Sequence, residues 1–275
     1  MMCRMAGWAS RTMLTAAEAL GPEAIDRFAY LSTVHEDGWG AAWIDATGTQ
    51  QSRHSVLPAH LDPQFRAFAT QTRSTACVLH ARLGTRGYGE GAANVHPFSS
   101  QGWAFVHNGA ILPKQRIARL MPVSSFERIG DTDSEVYLFA LLDAMRDSQS
   151  IAQAVSVVVS RVAGQGMRSS SLNAMLLGPN QLAVISEYDP AAGTSGVRVW
   201  PDDKSTPAVD WPEYHPMVLT AREHLVAFAS SGIIPDLTEW TSMPNHTVAT
   251  VGLDEFTVHQ LPIEPVPSTF SASHH

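Results

Sequence analysis

Short runs of strand-like character recur along this chain, several of them alternating between apolar and polar positions, whereas helical spacing is less frequent. Strand candidates cover 78–83, 103–106, 172–177, 182–188, 197–200, 217–219, 225–229 and 247–251. They are rich in β-branched or aromatic side chains and are bounded by Gly, Pro, Asn or Asp. Residues 22–31 follow Gly21 and open on Pro22, which suits a first helical turn. Val136, Phe139, Leu142 and Met145 share one helical face, and 151–162 reads as a second helix after a break at 147–150. The first of this pair has a sequence-level start: Thr132 as cap, with Glu135 placed to reach back and close a capping box. Asp133 then falls in the first turn, where the helix dipole favours a carboxylate. The stretch 189–216, rich in Pro, Gly and Asp, reads as loops around a short strand. No repeat or linker divides the chain, so sheet and helix layers are expected in one unit.

Composition narrows the function. A chain of 275 residues that is 44% hydrophobic has material for a large core, which excludes a disordered or fibrous protein. A net charge of -8 repels phosphate backbones and anionic lipid, so neither nucleic acid nor a membrane surface is the expected partner. No apolar run approaches the ~18 residues of a membrane span, and residues 1–10 do not form a secretory signal. Two cysteines make no disulfide framework, which points to a reducing compartment, the cytoplasm.

Cys3 is the first candidate for chemistry. A thiol and an α-amine titrate close together in small peptides, at ~8.5 and ~7.7–8.0. A Cys at the chain terminus therefore carries its own base, as an N-terminal Thr does. The competing reading is a small buried residue opening a first strand. Four further segments follow. They are His35-Glu36-Asp37-Gly38-Trp39-Gly40, His80-Ala81-Arg82-Leu83-Gly84-Thr85 with Asn94 to Phe98 behind it, Val106-His107-Asn108-Gly109, and Thr132-Asp133-Ser134-Glu135.

Together with Met2-Cys3-Arg4, and in this order, these segments resemble the class II glutamine amidotransferases, and within them the free-standing γ-glutamyl amidohydrolase-like members. The resemblance covers roughly the first half of the chain. It implies an α+β fold, the four-layer αββα sandwich of N-terminal-nucleophile (Ntn) hydrolases, with two antiparallel sheets flanked by helices. It also implies a single domain over 1–275, in which 3–170 bears the motifs and 171–265 completes the sandwich.

Carried over residue by residue, the resemblance makes Cys3 the nucleophile and Asn108 and Gly109 the oxyanion donors. Arg82, Thr85 and Asp133 become substrate-binding residues, Arg82 for an α-carboxylate and Asp133 for an α-ammonium. No cofactor or metal is implied. Each residue also has a plainer reading. Arg82 suits a salt bridge, Asn108-Gly109 a hairpin turn, Asp133 a helix first turn, and Thr85 a loop. His80, His96 and His107 are expected to be scaffold, Cys77 a buried thiol, and the glycine-rich 84–91 a flexible flap.

The expected substrate is glutamine or a γ-glutamyl compound, cleaved through a γ-glutamyl thioester on Cys3. One alternative is a glutaminase subunit that passes ammonia to a synthase, and a synthase or peptidase partner chain is compatible with either. Met1 and Met2 precede Cys3, so self-supplied base catalysis requires their removal; if they remain, a non-catalytic binding protein is the alternative. A metal-dependent hydrolase built on His35, Asp37, His80 and His107 lacks a His-Glu-x-x-His or paired-Cys spacing.

Overall fold

A computed structural model describes residues 3–84, 89, 91–122, 126–190 and 215–264. The sequence-predicted strand at 197–200 lies outside the described residues. In chain order the strands are β1 (Arg4–Leu14), β2 (Trp39–Ile44), β3 (Gln50–Ser55), β4 (Ser74–Ala81), β5 (Phe98–Ser100), β6 (Trp103–Asn108), β7 (Ile111–Leu112) and β8 (Arg168–Ser169). They continue with β9 (Asn173–Leu177), β10 (Gln181–Ser186), β11 (Met217–Arg222), β12 (Leu225–Ser230), β13 (Thr241–Ser242), β14 (Thr247–Gly252) and β15 (Val258–Pro262). The helices are α1 (Ala16–Leu20), α2 (Pro22–Leu31), α3 (Pro63–Gln71), α4 (Asp133–Asp147) and α5 (Ile151–Gly164).

Two antiparallel sheets result, ordered β13-β11-β12-β1-β4-β2-β3 and β15-β14-β10-β9-β6-β5, with a small β7-β8 pair beside them. Burial of the strands on both faces dictates the layering. In β1, Met5 and Ala9 join Val78, Val106, Met175 and Val184 in a core between the sheets. The alternate residues Ala6 and Trp8 pack outward with Ile25 and Phe28 of α2 and Phe65 and Phe68 of α3. On the far side, Phe105, Leu176 and Ile185 of the second sheet pack with Val136 and Tyr137 of α4 and Val155 of α5. The order is helices, sheet, sheet, helices, the αββα sandwich that the resemblance implied. Strands from beyond residue 170 complete both sheets: β11 to β13 in the first, and β9, β10, β14 and β15 in the second.

The Asp-Gly-Trp-Gly segment explains itself in this frame. Trp39 is fully buried, and its indole N–H donates to Asp62 Oδ2 at 2.9 Å. The other oxygen of Asp62 caps α3 by accepting the Gln64 N–H at 2.9 Å. Gly40 is required by close packing, since a Cβ there would lie 2.0 Å from the His96 carbonyl oxygen.

Two local expectations need correction. Thr132 caps α4, accepting from the Glu135 N–H at 3.3 Å, but the reciprocal half of the capping box is absent. The buried Glu135 carboxylate instead takes the N–H groups of Ile129 and Gly130 at 2.8 and 2.9 Å, satisfying a turn before the helix. Asn108-Gly109 does not join a hairpin, because β6 pairs with β9 while β7 pairs with β8.

Candidate active site

The antiparallel register of β1 on β4 pairs Arg4 with Ala81, which sets Cys3 across from the chain that leaves β4. The Cys3 sulfur accepts the Leu83 N–H at 3.4 Å. Arg82 follows β4, Asn108 ends β6 in the facing sheet, and Asp133 is the first residue of α4. Cys3, Arg82, Gly109 and Asp133 thereby line one cleft of about 310 Å³, including its solvent-open part, together with Gly84, His96, His107 and Thr132. Asn108, the neighbour of Gly109, is completely buried, and among the described residues neither its amide nitrogen nor its amide oxygen has a hydrogen-bond partner. Thr85 lies outside the described residues, as does most of the 84–91 stretch.

Gly109 holds its place by exclusion. A Cβ there would sit 1.9 Å from the Ser171 carbonyl oxygen and 2.9 Å from His107 Nε2. Asp133 is buried and accepts the Ile111 N–H at 2.7 Å and the Ser134 N–H at 3.0 Å. Burial raises its pKa above the ordinary carboxylate value, against the pull of His107 and these N–H groups. Arg82 donates to the Gly89 carbonyl at 2.8 Å, and among the described residues no carboxylate reaches it within ion-pair distance.

Burial pushes the Cys3 thiol up to about 11, with the Leu83 backbone and the Arg82 charge pulling the other way. At neutral pH it is a thiol, and its use as a nucleophile requires a nearby proton acceptor. The three histidines beside it are not built for that task. Burial lowers His80 to about 3, lowers His107, and takes His96 well below the usual histidine value. His107 Nε2 donates to the Ser171 carbonyl at 3.2 Å, so Nδ1 is unprotonated and accepts from the Ser134 hydroxyl at 2.9 Å. His80 Nε2 donates to the His107 carbonyl at 3.1 Å. The His80 and His96 rings lie 4.0 Å apart.

His35 supports α2, with Nδ1 against the Leu31 carbonyl at 2.6 Å. Asp37 takes the Gly84 N–H at 2.6 Å and so fixes one wall of the cleft. Sequence reasoning gave neither Asp37 nor Ser134 and Ser171 a part in shaping this site. Asp37 and Ser134 fall inside the motifs, but their contacts, like that of Ser171, join residues far apart in the chain, which a local pattern does not show. Among the described residues, no group of three His, Cys, Asp or Glu side chains is arranged to hold a metal ion.

The sequence profile described as "Glutamine amidotransferases class-II" matches residues 2–186. The chain belongs to that family. A glutamine–fructose-6-phosphate aminotransferase (isomerizing) of Rhizobium meliloti is 29% identical over 142 residues, 52% of this chain. The chain spans only 22% of that relative's length. Among solved structures, a glutamine aminotransferase class-II domain protein from Silicibacter pomeroyi superposes with a TM-score of 0.64 at 20% identity, over 96% of this chain and 100% of that one. Glutamine phosphoribosylpyrophosphate amidotransferase from B. subtilis superposes with a TM-score of 0.56 at 15% identity, over 95% of this chain and 49% of that one. At these identities the superpositions speak for the fold alone, two antiparallel sheets flanked by helices.

Proposed function

We propose that this chain hydrolyses the γ-amide of glutamine or of a γ-glutamyl compound, with Cys3 as an N-terminal nucleophile. The observation that carries the reading is the gathering of Cys3, Arg82, Gly109 and Asp133 from four separate parts of the chain onto one cleft. Family membership supports glutamine amide chemistry, and the orphaned Asn108 amide supports an oxyanion site beside Gly109. The domain is read as one unit over 1–275, since both sheets take strands from both halves.

In this reading Arg82 takes the substrate α-carboxylate with paired N–H groups, and Asp133, ionised by the approach of a cation, takes the α-ammonium. The Cys3 proton passes to the α-amine of the same residue as sulfur bonds to the γ-carbonyl carbon. The carbonyl electron pair moves to oxygen, facing an N–H of the Asn108 amide and the Gly109 backbone N–H. The C–N bond then breaks, its electrons and the amine-held proton leaving as ammonia or an amine. Water next attacks the thioester, releasing glutamate and restoring the thiol. Thr85 is assigned to substrate contact by the family motif alone.

The mechanism requires removal of Met1 and Met2, because an acylated Cys3 nitrogen is no base and the thiol then stays protonated. A second reading, in which ammonia passes to a synthase chain, is favoured by the aminotransferase names of the curated relatives. No helix among the described residues is long and apolar enough to cross a membrane. The test measures glutamate release from glutamine and from γ-glutamyl peptides, using protein whose Cys3 terminus is verified by mass spectrometry, with Cys3→Ala as control. Faster release from peptides favours direct hydrolysis, and release confined to glutamine favours ammonia supply. Ligand binding with no product leaves a binding protein.

A further inference from the structure

Arg82 is buried, and the hydrogen bond that orients its guanidinium runs to a backbone carbonyl rather than to a carboxylate: Nη2 donates to Gly89 O at 2.8 Å. Gly89 is itself held from its other side, its N–H donating to Asp131 Oδ1 at 2.7 Å. Asp131 is fixed by two further contacts. Its Oδ2 accepts from Lys114 Nζ at 3.0 Å, and its own N–H donates to Asn94 Oδ1 at 2.9 Å. A Cβ on Gly89 would meet Asp131 Oδ1 at 2.6 Å and Asn94 Nδ2 at 2.7 Å, and one on Gly130 would meet Asn94 Oδ1 at 2.4 Å. Backbone and carboxylate are therefore packed at hydrogen-bond contact with no room for a side chain between them.

We infer that Asp131 is a positioning residue: acting through Gly89, it sets the direction in which the Arg82 guanidinium meets the carboxylate of a substrate. This rests on the proposed assignment of Arg82 to the substrate α-carboxylate. Asp131 itself is not among the residues that line the cleft. Its ion pair with Lys114 is half exposed, a setting in which such pairs contribute little to stability, so a purely structural purpose gains little from it. The arrangement suits recognition better. A guanidinium that pairs with a carboxylate through two parallel N–H groups is sensitive to its angle as well as to its distance. Lys114 and Asn94 hold the far side of the relay.

The experiment compares Asp131→Ala and Asp131→Asn with the parent chain bearing a verified Cys3 terminus. Loss of ground-state binding raises KM and spares kcat, so Asp131→Ala should raise KM for glutamine about 10-fold with kcat within about threefold, and Asp131→Asn should fall between. Two readouts separate positioning from general damage. In an Arg82→Met background, Asp131→Ala should change KM less than about twofold, because the coupled partner is already gone. In the Cys3→Ala chain, Asp131→Ala should weaken binding of glutamine but not of the analogue with a carboxamide in place of the α-carboxylate. An unchanged KM, equal losses for both ligands, or additive effects in the cycle would overturn the inference while leaving Cys3 chemistry intact. A parent chain that neither binds glutamine nor releases glutamate overturns the underlying assignment, and the inference with it.

Discussion

Asn108 offers a test in which stability and activity separate. Its side chain is completely buried at the end of β6, and neither amide atom has a partner among the described residues. Truncating a large apolar side chain in a core costs about 2–5 kcal/mol, and the shorter Asn forfeits about 1–2 kcal/mol of packing by the same reasoning. Against this, deleting a buried donor and acceptor that nothing satisfies recovers about 1–3 kcal/mol. The two effects cancel to within about 1 kcal/mol, which for a chain of this size keeps the melting temperature of Asn108→Ala within about 2–4 °C of the parent. Turnover should respond very differently. Losing one preorganised oxyanion donor lowers kcat by about 10²–10³, equivalent to about 2.7–4 kcal/mol. The assay pairs a thermal melt with glutamate release at saturating substrate. A melting temperature lowered by more than about 10 °C with kcat intact would show that the amide serves the fold and not the reaction.

Three other outcomes follow from the same geometry. Gly109→Ala places a Cβ 1.9 Å from the Ser171 carbonyl oxygen, so the backbone must shift and the variant should lose about 1–3 kcal/mol in urea denaturation and most of its kcat; retention of both would remove Gly109 from the site. In chains that retain Met1 and Met2, Cys3 titrates at about 11, so its alkylation by iodoacetamide should rise about tenfold per pH unit up to pH ~10; a plateau below pH ~9 contradicts the burial argument. The buried histidines have folded pKa values below the unfolded ~6.5, so the stability they contribute is complete above pH ~6.5 and is lost as pH falls, at about 1.4 kcal/mol per unit for each fully depressed ring. Urea midpoints should drop steeply between pH 7 and 5 and less steeply in His80→Phe, and a flat profile would refute this.

The sequence carried the fold unevenly, and the reasons are physical. Helices α2, α4 and α5 were legible because their spacing, Pro22, the Thr132 cap and the break at 147–150 are local signals; the Ser150 cap of α5 is seen in the structure. Most of the inner strands were legible as compact apolar runs. Strand β3 was not, since Gln-Gln-Ser-Arg-His-Ser forms the polar edge of its sheet and buries almost nothing. Helix α3, absent from the sequence-predicted elements, nonetheless has local signals, with Asp62 as cap, Pro63 in the first turn, and Phe65, Phe68 and Ala69 on its buried face. α1 has a closed capping box between Thr15 and Glu18, but it is a single short turn and a half. The site was legible only as a set of motifs. Nothing local in Asn108-Gly109 distinguishes an oxyanion donor from a turn, and it is pairing to β9 rather than to β7 that decides against the hairpin.

Convergence of the site residues follows from strand register more than from any single contact. Antiparallel pairing of β1 with β4 sets the chain start beside the exit of β4, and this alone brings position 3 to position 82. Between the sheets, Met5 and Val78 pack against Val106 and Met175, which carries the end of β6 to the same mouth. The Asp133 carboxylate, accepting the Ile111 N–H, then ties the start of α4 to the residues just after Gly109. A one-residue slip of β1 would turn Met5 outward and Ala6 inward, exchanging two cores at once. Each core therefore enforces the register that places the sulfur. A thiol just ahead of β1, where backbones near a terminus ordinarily fray, is thereby buried against the core of the sheet.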